Sequence, residues 1–167
     1  MDNLTHLYLG DNHFETIDLR PLPKGLAVLR VLRNELRELS LAGVTLPALT
    51  ELDLESNALA TLDLAALFTA LPALRLLPIA YNTFPKEEAE RIIADLRRHN
   101  VTFYLGAEQD GEVECDQDEY LVDNLCFADS MLSGRSFWKA LFLIVVAVVV
   151  VTVFAVSVRW IWYQMRY

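Results

Sequence analysis

The sequence predicts an α/β solenoid: a short stack with a parallel sheet, a C-terminal cap of helix plus strand, and then a single transmembrane α-helix. Three observations predict it. A leucine-rich segment recurs four times at near-constant spacing. An amphipathic stretch and an alternating pentapeptide follow the last copy. Near the C-terminus lies a run of 19 residues without a charge. The segmentation is residues 1–84 for the four copies, 85–106 for the cap, 107–135 for an acidic two-cysteine stalk, 136–160 for the transmembrane helix and 161–167 for a short tail.

The copies begin at Leu4, Leu26, Leu49 and Leu74, at intervals of 22, 23 and 25 residues, and all fit L-x-x-L-x-[LIV]-x-x-N-x-[LF]. Leu7 and Leu9 alternate around Tyr8, the period of a strand with one buried face, and so do Leu29 and Val31, Leu52 and Leu54, Leu77 and Ile79. One such unit cannot bury its apolar edge alone, whereas stacked copies share a core. Asn12, Asn34, Asn57 and Asn82 fall where the chain turns out of each strand. There a side-chain amide can bond backbone groups that the turn leaves unpaired, which makes these a structural ladder. Leu22-Pro23, Leu46-Pro47 and Leu71-Pro72 end the return segments, because proline resists helix continuation.

The pattern resembles the leucine-rich repeat family over residues 4 to about 84. That resemblance implies a horseshoe whose concave sheet binds a protein partner. The further echo N-x-[LF]-x-x-[IL]-D-L, at residues 12–19 and 57–64, is similar to insect leucine-rich-repeat immune proteins, some of which carry a C-terminal membrane span. It implies a role in innate immunity, as recognition or as assembly of defence proteins. The adjacent double cysteine and the coiled coil of the secreted members are not in this sequence.

The first copy has only Met1, Asp2 and Asn3 before it, so the stack is expected to begin on a bare apolar edge. The expectation drawn from this is that the chain is the C-terminal part of a longer ectodomain. If Met1 is the true start, the edge becomes a surface for a homo- or heterodimer. At the other end, Pro85 opens a helix with Glu87 and Glu88 near its positive dipole end and Arg97 and Arg98 near its negative end. Ala89, Ile92, Ile93 and Leu96 form its apolar stripe, and residues 101–105 alternate like a last strand.

Residues 107–134 contain nine acids and no base, and read as a solvated stalk. Cys115 and Cys126 are the only cysteines; an intrachain disulfide, an interchain disulfide and free thiols are the three alternatives. Asn3 and Asn100 each head an N-x-T glycosylation sequon. Residues 140–158 are uncharged and, at about 1.5 Å per residue, span roughly 30 Å, a bilayer's hydrocarbon thickness. Trp138 on one side and Trp160, Trp162 and Tyr163 on the other suit the interfaces. The expected location is the plasma membrane, single-pass, with the copies outside. The runner-up is a tail-anchored cytosolic scaffold.

Formal net charge is −9, and all 23 acids precede Phe137, which disfavours nucleic acid as a partner. The three histidines do not cluster at metal-ligand spacing with acids or cysteines, and no nucleophile–base or phosphate-loop motif occurs. The sequence therefore carries no enzyme signature, and no cofactor or metal is expected. The candidate working surface is the sheet's outward face: His6, Tyr8, Asp11, Arg30, Arg33, Glu51, Asp53, Glu55 and Tyr81. Its partner would be a protein ligand or co-receptor. Arg30 and Asp53 share a position on adjacent strands, so they can pair with each other, as can Arg33 and Glu55. The same residue types populate interface hot spots.

Overall fold

A computed structural model describes residues 3–104, 114–128 and Ile144. The chain divides into two compact units, Met1–Ser130 and Met131–Tyr167; of the second, only Ile144 is described. The first unit contains β1 (His6–Tyr8), β2 (Val28–Arg30), β3 (Glu51–Asp53), α1 (Leu64–Ala70), α2 (Lys86–Arg98), β4 (Glu119–Val122) and β5 (Leu125–Ala128). β1, β2 and β3 form a parallel sheet in that order, with Leu7, Leu29 and Leu52 in register. β4 and β5 form a separate antiparallel hairpin.

The alternation of leucines decides which way the sheet faces. Leu29, Leu52, Leu77, Val31, Leu54 and Ile79 are fully buried and build the core. Leu4, Leu7 and Leu9 pack against it at the β1 edge, half-buried. The strands are short because each leaves the ladder through a left-handed residue: Asp11, Arg33, Ser56 and Tyr81 have φ between 51° and 57°. Each immediately precedes an asparagine whose amide holds the turn together.

Those amides do similar work in three of the copies. Asn34 Nδ2 donates to Leu9 O on the preceding strand (2.9 Å) and to Val31 O (3.0 Å), while its Oδ1 accepts from Phe14 N–H (3.0 Å). Asn57 bonds Val31 O, Leu54 O and Leu36 N–H in the same way, and Asn82 bonds Leu54 O, Ile79 O and Leu59 N–H. Asn34, Asn57 and Asn82 are buried. Asn12 is exposed and donates only within its own turn, to Leu9 O and Gly10 O.

The fold class is corrected by this architecture. The described residues make two helices, a three-stranded parallel sheet and an antiparallel hairpin, not a solenoid with a transmembrane helix. The sequence period does not generate one repeated structural unit, and two local causes are visible. Pro78 lacks an N–H and cannot donate its rung toward the third segment, so Leu76 makes only isolated bridges to Glu51 and Thr102, although Leu54 N–H still donates to Pro78 O (3.0 Å) and Ser56 N–H to Ala80 O (2.9 Å). The return segments also differ. Only the third carries a helix, α1, because Asp63 caps it by accepting Ala66 N–H (3.0 Å) and Pro72 ends it.

The membrane expectation is corrected too. Among the described residues no helix is long and apolar enough to cross a membrane, against the expected single-pass helix. The segment 136–160 and the tail 161–167 lie outside the described residues, apart from Ile144.

α2 buries Ala89, Ile92, Ile93 and Leu96 against the core. Pro85 sits just outside it, as the cap residue rather than in its first turn. Asn100, at φ 54°, closes the other end: Asn100 N–H donates to Arg97 O and Val101 N–H to Leu96 O. These two bonds are the Schellman arrangement, with asparagine where glycine is usual.

The acidic stalk is the third correction. Residues 119–128 are not a solvated tether but a hairpin seated on the core, with Phe127 fully buried and Leu125 and Cys126 nearly so. Asp123 and Asn124 both have positive φ (54° and 62°), the two-residue turn that matches the twist of antiparallel strands. β5 lies along the turn of the fourth segment: Tyr81 N–H donates to Cys126 O (2.7 Å) and Ala128 N–H to Asn82 O (2.9 Å). Phe84 meets Phe127 edge-on, Tyr120 stacks on Phe127 and its hydroxyl donates to Phe84 O. Arg97 of α2 pairs with Asp123. Cys115 and Cys126 are joined in a disulfide with Cα atoms 5.6 Å apart.

Candidate recognition face

With Leu7, Leu29 and Leu52 turned to the core, their strand neighbours face the other way. Register puts His6, Val28 and Glu51 in one outward row and Tyr8, Arg30 and Asp53 in the next. Glu55 follows two residues after Asp53 on the same side. Six of the expected residues, His6, Tyr8, Arg30, Glu51, Asp53 and Glu55, are thereby gathered on one surface. Arg33, Asp11 and Tyr81 lie at the rim, each at the left-handed turn position of its segment.

The charge pairing differs from the expected one. Arg30 does not pair laterally with Asp53; its Nε donates diagonally to Glu51 Oε1 at 2.5 Å. Its guanidinium also lies 5.6 Å from the centroid of the Tyr8 ring. Arg33 pairs with Asp11 (3.4 Å) rather than with Glu55. The cause is the turn. Both residues sit in the same left-handed conformation in adjacent segments, so their side chains leave the sheet side by side.

Asp53 is left without a cation. It is only 1% exposed; Oδ1 accepts Glu55 N–H at 3.1 Å, and Oδ2 has no hydrogen-bond partner. Burial pushes the Asp53 carboxyl above the usual aspartate range, against the opposing pull of the Glu55 N–H and of Arg30. Burial likewise raises the Glu55 carboxyl, and the Asp53 charge adds to it. Glu51 does the reverse service for Arg30, holding its guanidinium charged.

Tyr8 is 62% exposed and Tyr81 is 45% exposed, large rings open to solvent on this side. His6 is exposed, with Nδ1 2.9 Å from Thr5 Oγ1. The sequence reading missed the apolar part of the face. Leu76 is in register with Glu51 and with Thr102, and Tyr104, two residues beyond Thr102, is 41% exposed. The alternation in residues 101–105 was the signal for Tyr104. For Leu76 the signal was its place between Arg75 and the core residue Leu77.

Among the described residues, one cluster of potential ligand atoms lies close enough to hold a metal: Cys115, Glu119 and Cys126. Both sulfurs are committed to the disulfide, and it is thiolates that ligate metals, so the cluster does not read as a metal centre. Of the expected sequon asparagines, Asn3 and Asn100 are both exposed. Compared with known proteins, the chain matches no family model, no curated protein and no solved structure.

Proposed function

We propose that this chain is a protein-recognition module whose working surface is the outward face of the parallel sheet. One observation carries the reading: exposed Tyr8, the Arg30–Glu51 pair and the orphaned Asp53 carboxylate lie side by side on a backbone fixed by buried asparagines. Rigid placement of aromatic and charged side chains is what recognition requires, because little side-chain or loop ordering remains to be done on binding. The sequence resemblance to leucine-rich-repeat immune proteins supports the same role. The surface performs no chemistry in this reading. It holds a partner by rings, charges and hydrogen bonds.

The test is a selection of phage-displayed peptides on the folded chain, followed by binding to variants. Tyr8→Ala combined with Arg30→Ala should abolish binding of most selected peptides. Arg20→Ala, which removes only an exposed pair with Asp18, should leave binding unchanged. Peptides that bind the double variant as well as the native chain would show that the sheet face is not the working surface.

A further inference from the structure

We infer that Asp53 and Glu55 form a receptor for a cationic side chain, the ammonium of a lysine or the guanidinium of an arginine, on the polypeptide that docks on this face. The inference rests on the recognition reading above and names the chemistry of the partner at one position.

Four observations converge on it. Asp53 Oδ2 is a buried carboxylate oxygen with no donor, an arrangement that costs free energy until a donor arrives. The cations that act on the two carboxyls are already committed, Arg30 beside Asp53 to Glu51 and Arg33 beside Glu55 to Asp11. Asp53 at the end of β3 and Glu55 two residues beyond it face the same side, and each raises the need for a positive charge there. Tyr8 stands exposed on the same face and its ring already attracts the Arg30 guanidinium, which shows that this face favours cations. Glu55 is half-buried and supplies the solvent-facing half of the receptor. Asp53 supplies the inner half through its unpaired Oδ2.

A metal ion fits less well. Among the described residues, Glu51, Asp53 and Glu55 do not bring three carboxylate oxygens close enough together to share an ion. A long, directional donor such as a guanidinium can bridge oxygens that an ion cannot. The chain's net charge of −9 draws a cationic partner toward the surface before contact.

The experiment uses the full chain and the phage-selected peptides. Each Lys or Arg of a selected peptide is replaced by its neutral counterpart, acetyl-lysine or citrulline, and affinity is measured by calorimetry. One such replacement should weaken binding by about 10-fold or more. That loss should vanish on Asp53→Asn and shrink on Glu55→Gln, because the charge it reports is no longer met. Glu55 is the more exposed partner, so Glu55→Gln keeps the test available if Asp53→Asn perturbs the fold, which circular dichroism reads directly. Peptides that need Tyr8 and Arg30 but are indifferent to citrulline or acetyl-lysine would overturn the cation receptor and leave the recognition face standing. Peptides indifferent to Tyr8→Ala and Arg30→Ala, or no binders at all, would overturn both. Calcium or manganese binding lost in Asp53→Asn, with no dependence on peptide charge, would reassign the pair to a metal.

Discussion

Asp53 is the residue on which stability and recognition pull apart. Its carboxylate is buried, one oxygen is unpaired and its ionised form is disfavoured there. Arg30, the nearest countercharge, is held by Glu51 instead. Asparagine keeps the acceptor that Glu55 N–H uses and replaces the orphaned oxygen with a donor facing acidic neighbours. Asp53→Asn should therefore stabilise the chain by about 1 kcal/mol at neutral pH, since removing an unsatisfied buried acceptor recovers its desolvation cost. Urea denaturation of the variant beside the native chain checks this. A variant less stable than native would mean that the carboxylate has a donor after all. A residue that lowers stability and yet sits on the recognition face is the signature expected where binding rather than folding selects the side chain.

At the scale of elements, the asparagines and the hairpin do different jobs. Asn57 satisfies two buried carbonyls and a buried N–H at once, whereas Asn12 bonds only carbonyls of its own exposed turn. Asn57→Ala should cost about 3 kcal/mol and Asn12→Ala under about 1 kcal/mol, because an orphaned buried group costs far more than an exposed one. Thermal melts of the two variants read the difference, and equal losses would contradict the ladder's internal hierarchy. The hairpin depends on its covalent tie. The cysteines are 11 positions apart in sequence, and a closed loop of that size removes about 3 kcal/mol of chain entropy from the unfolded state. Replacing both cysteines by serine should raise amide exchange in β4 and β5, and at Tyr81 N–H, which β5 covers. Exchange unchanged at Tyr81 would show that Phe127 and Tyr120 alone hold the hairpin down.

At the scale of the whole molecule, the legible parts were those written in short periods. The leucine alternation placed Leu29, Leu52 and Leu77 in the core, and the i, i+3, i+4, i+7 stripe placed α2. What was illegible was set by single residues acting against a period. Pro78 removed a rung from the ladder, left-handed turns sent Arg33 to Asp11, and an Asp-Asn turn folded an acidic stretch into a hairpin packed on the core. The pairing on the face depended on diagonal reach, which register alone does not give. Net acidity obscured the hairpin's apolar residues, just as it hides opposing titrations that only the folded chain reveals. Asp18, held by Arg20, is lowered from 3.8 to about 2, and Glu88 is lowered by Arg91. Groups lowered by folding contribute stability above their unfolded values and lose it as pH falls through the folded ones. Both sit near the surface, so solvent screening keeps that contribution small. Asp53 and Glu55 are raised, mainly by burial, so the folded state binds protons more tightly there than the unfolded state does. Their sign is opposite: stability is fullest below the unfolded values and falls as pH rises through the raised ones. The chain should therefore lose stability as pH rises from the ordinary carboxylate range toward neutrality. The combined variant Asp53→Asn, Glu55→Gln should flatten that decline and move the maximum upward. Melting temperatures from pH 3 to pH 8 test it, and a native chain whose stability climbs steadily to neutral pH would show that the two carboxyls are not disfavoured by burial.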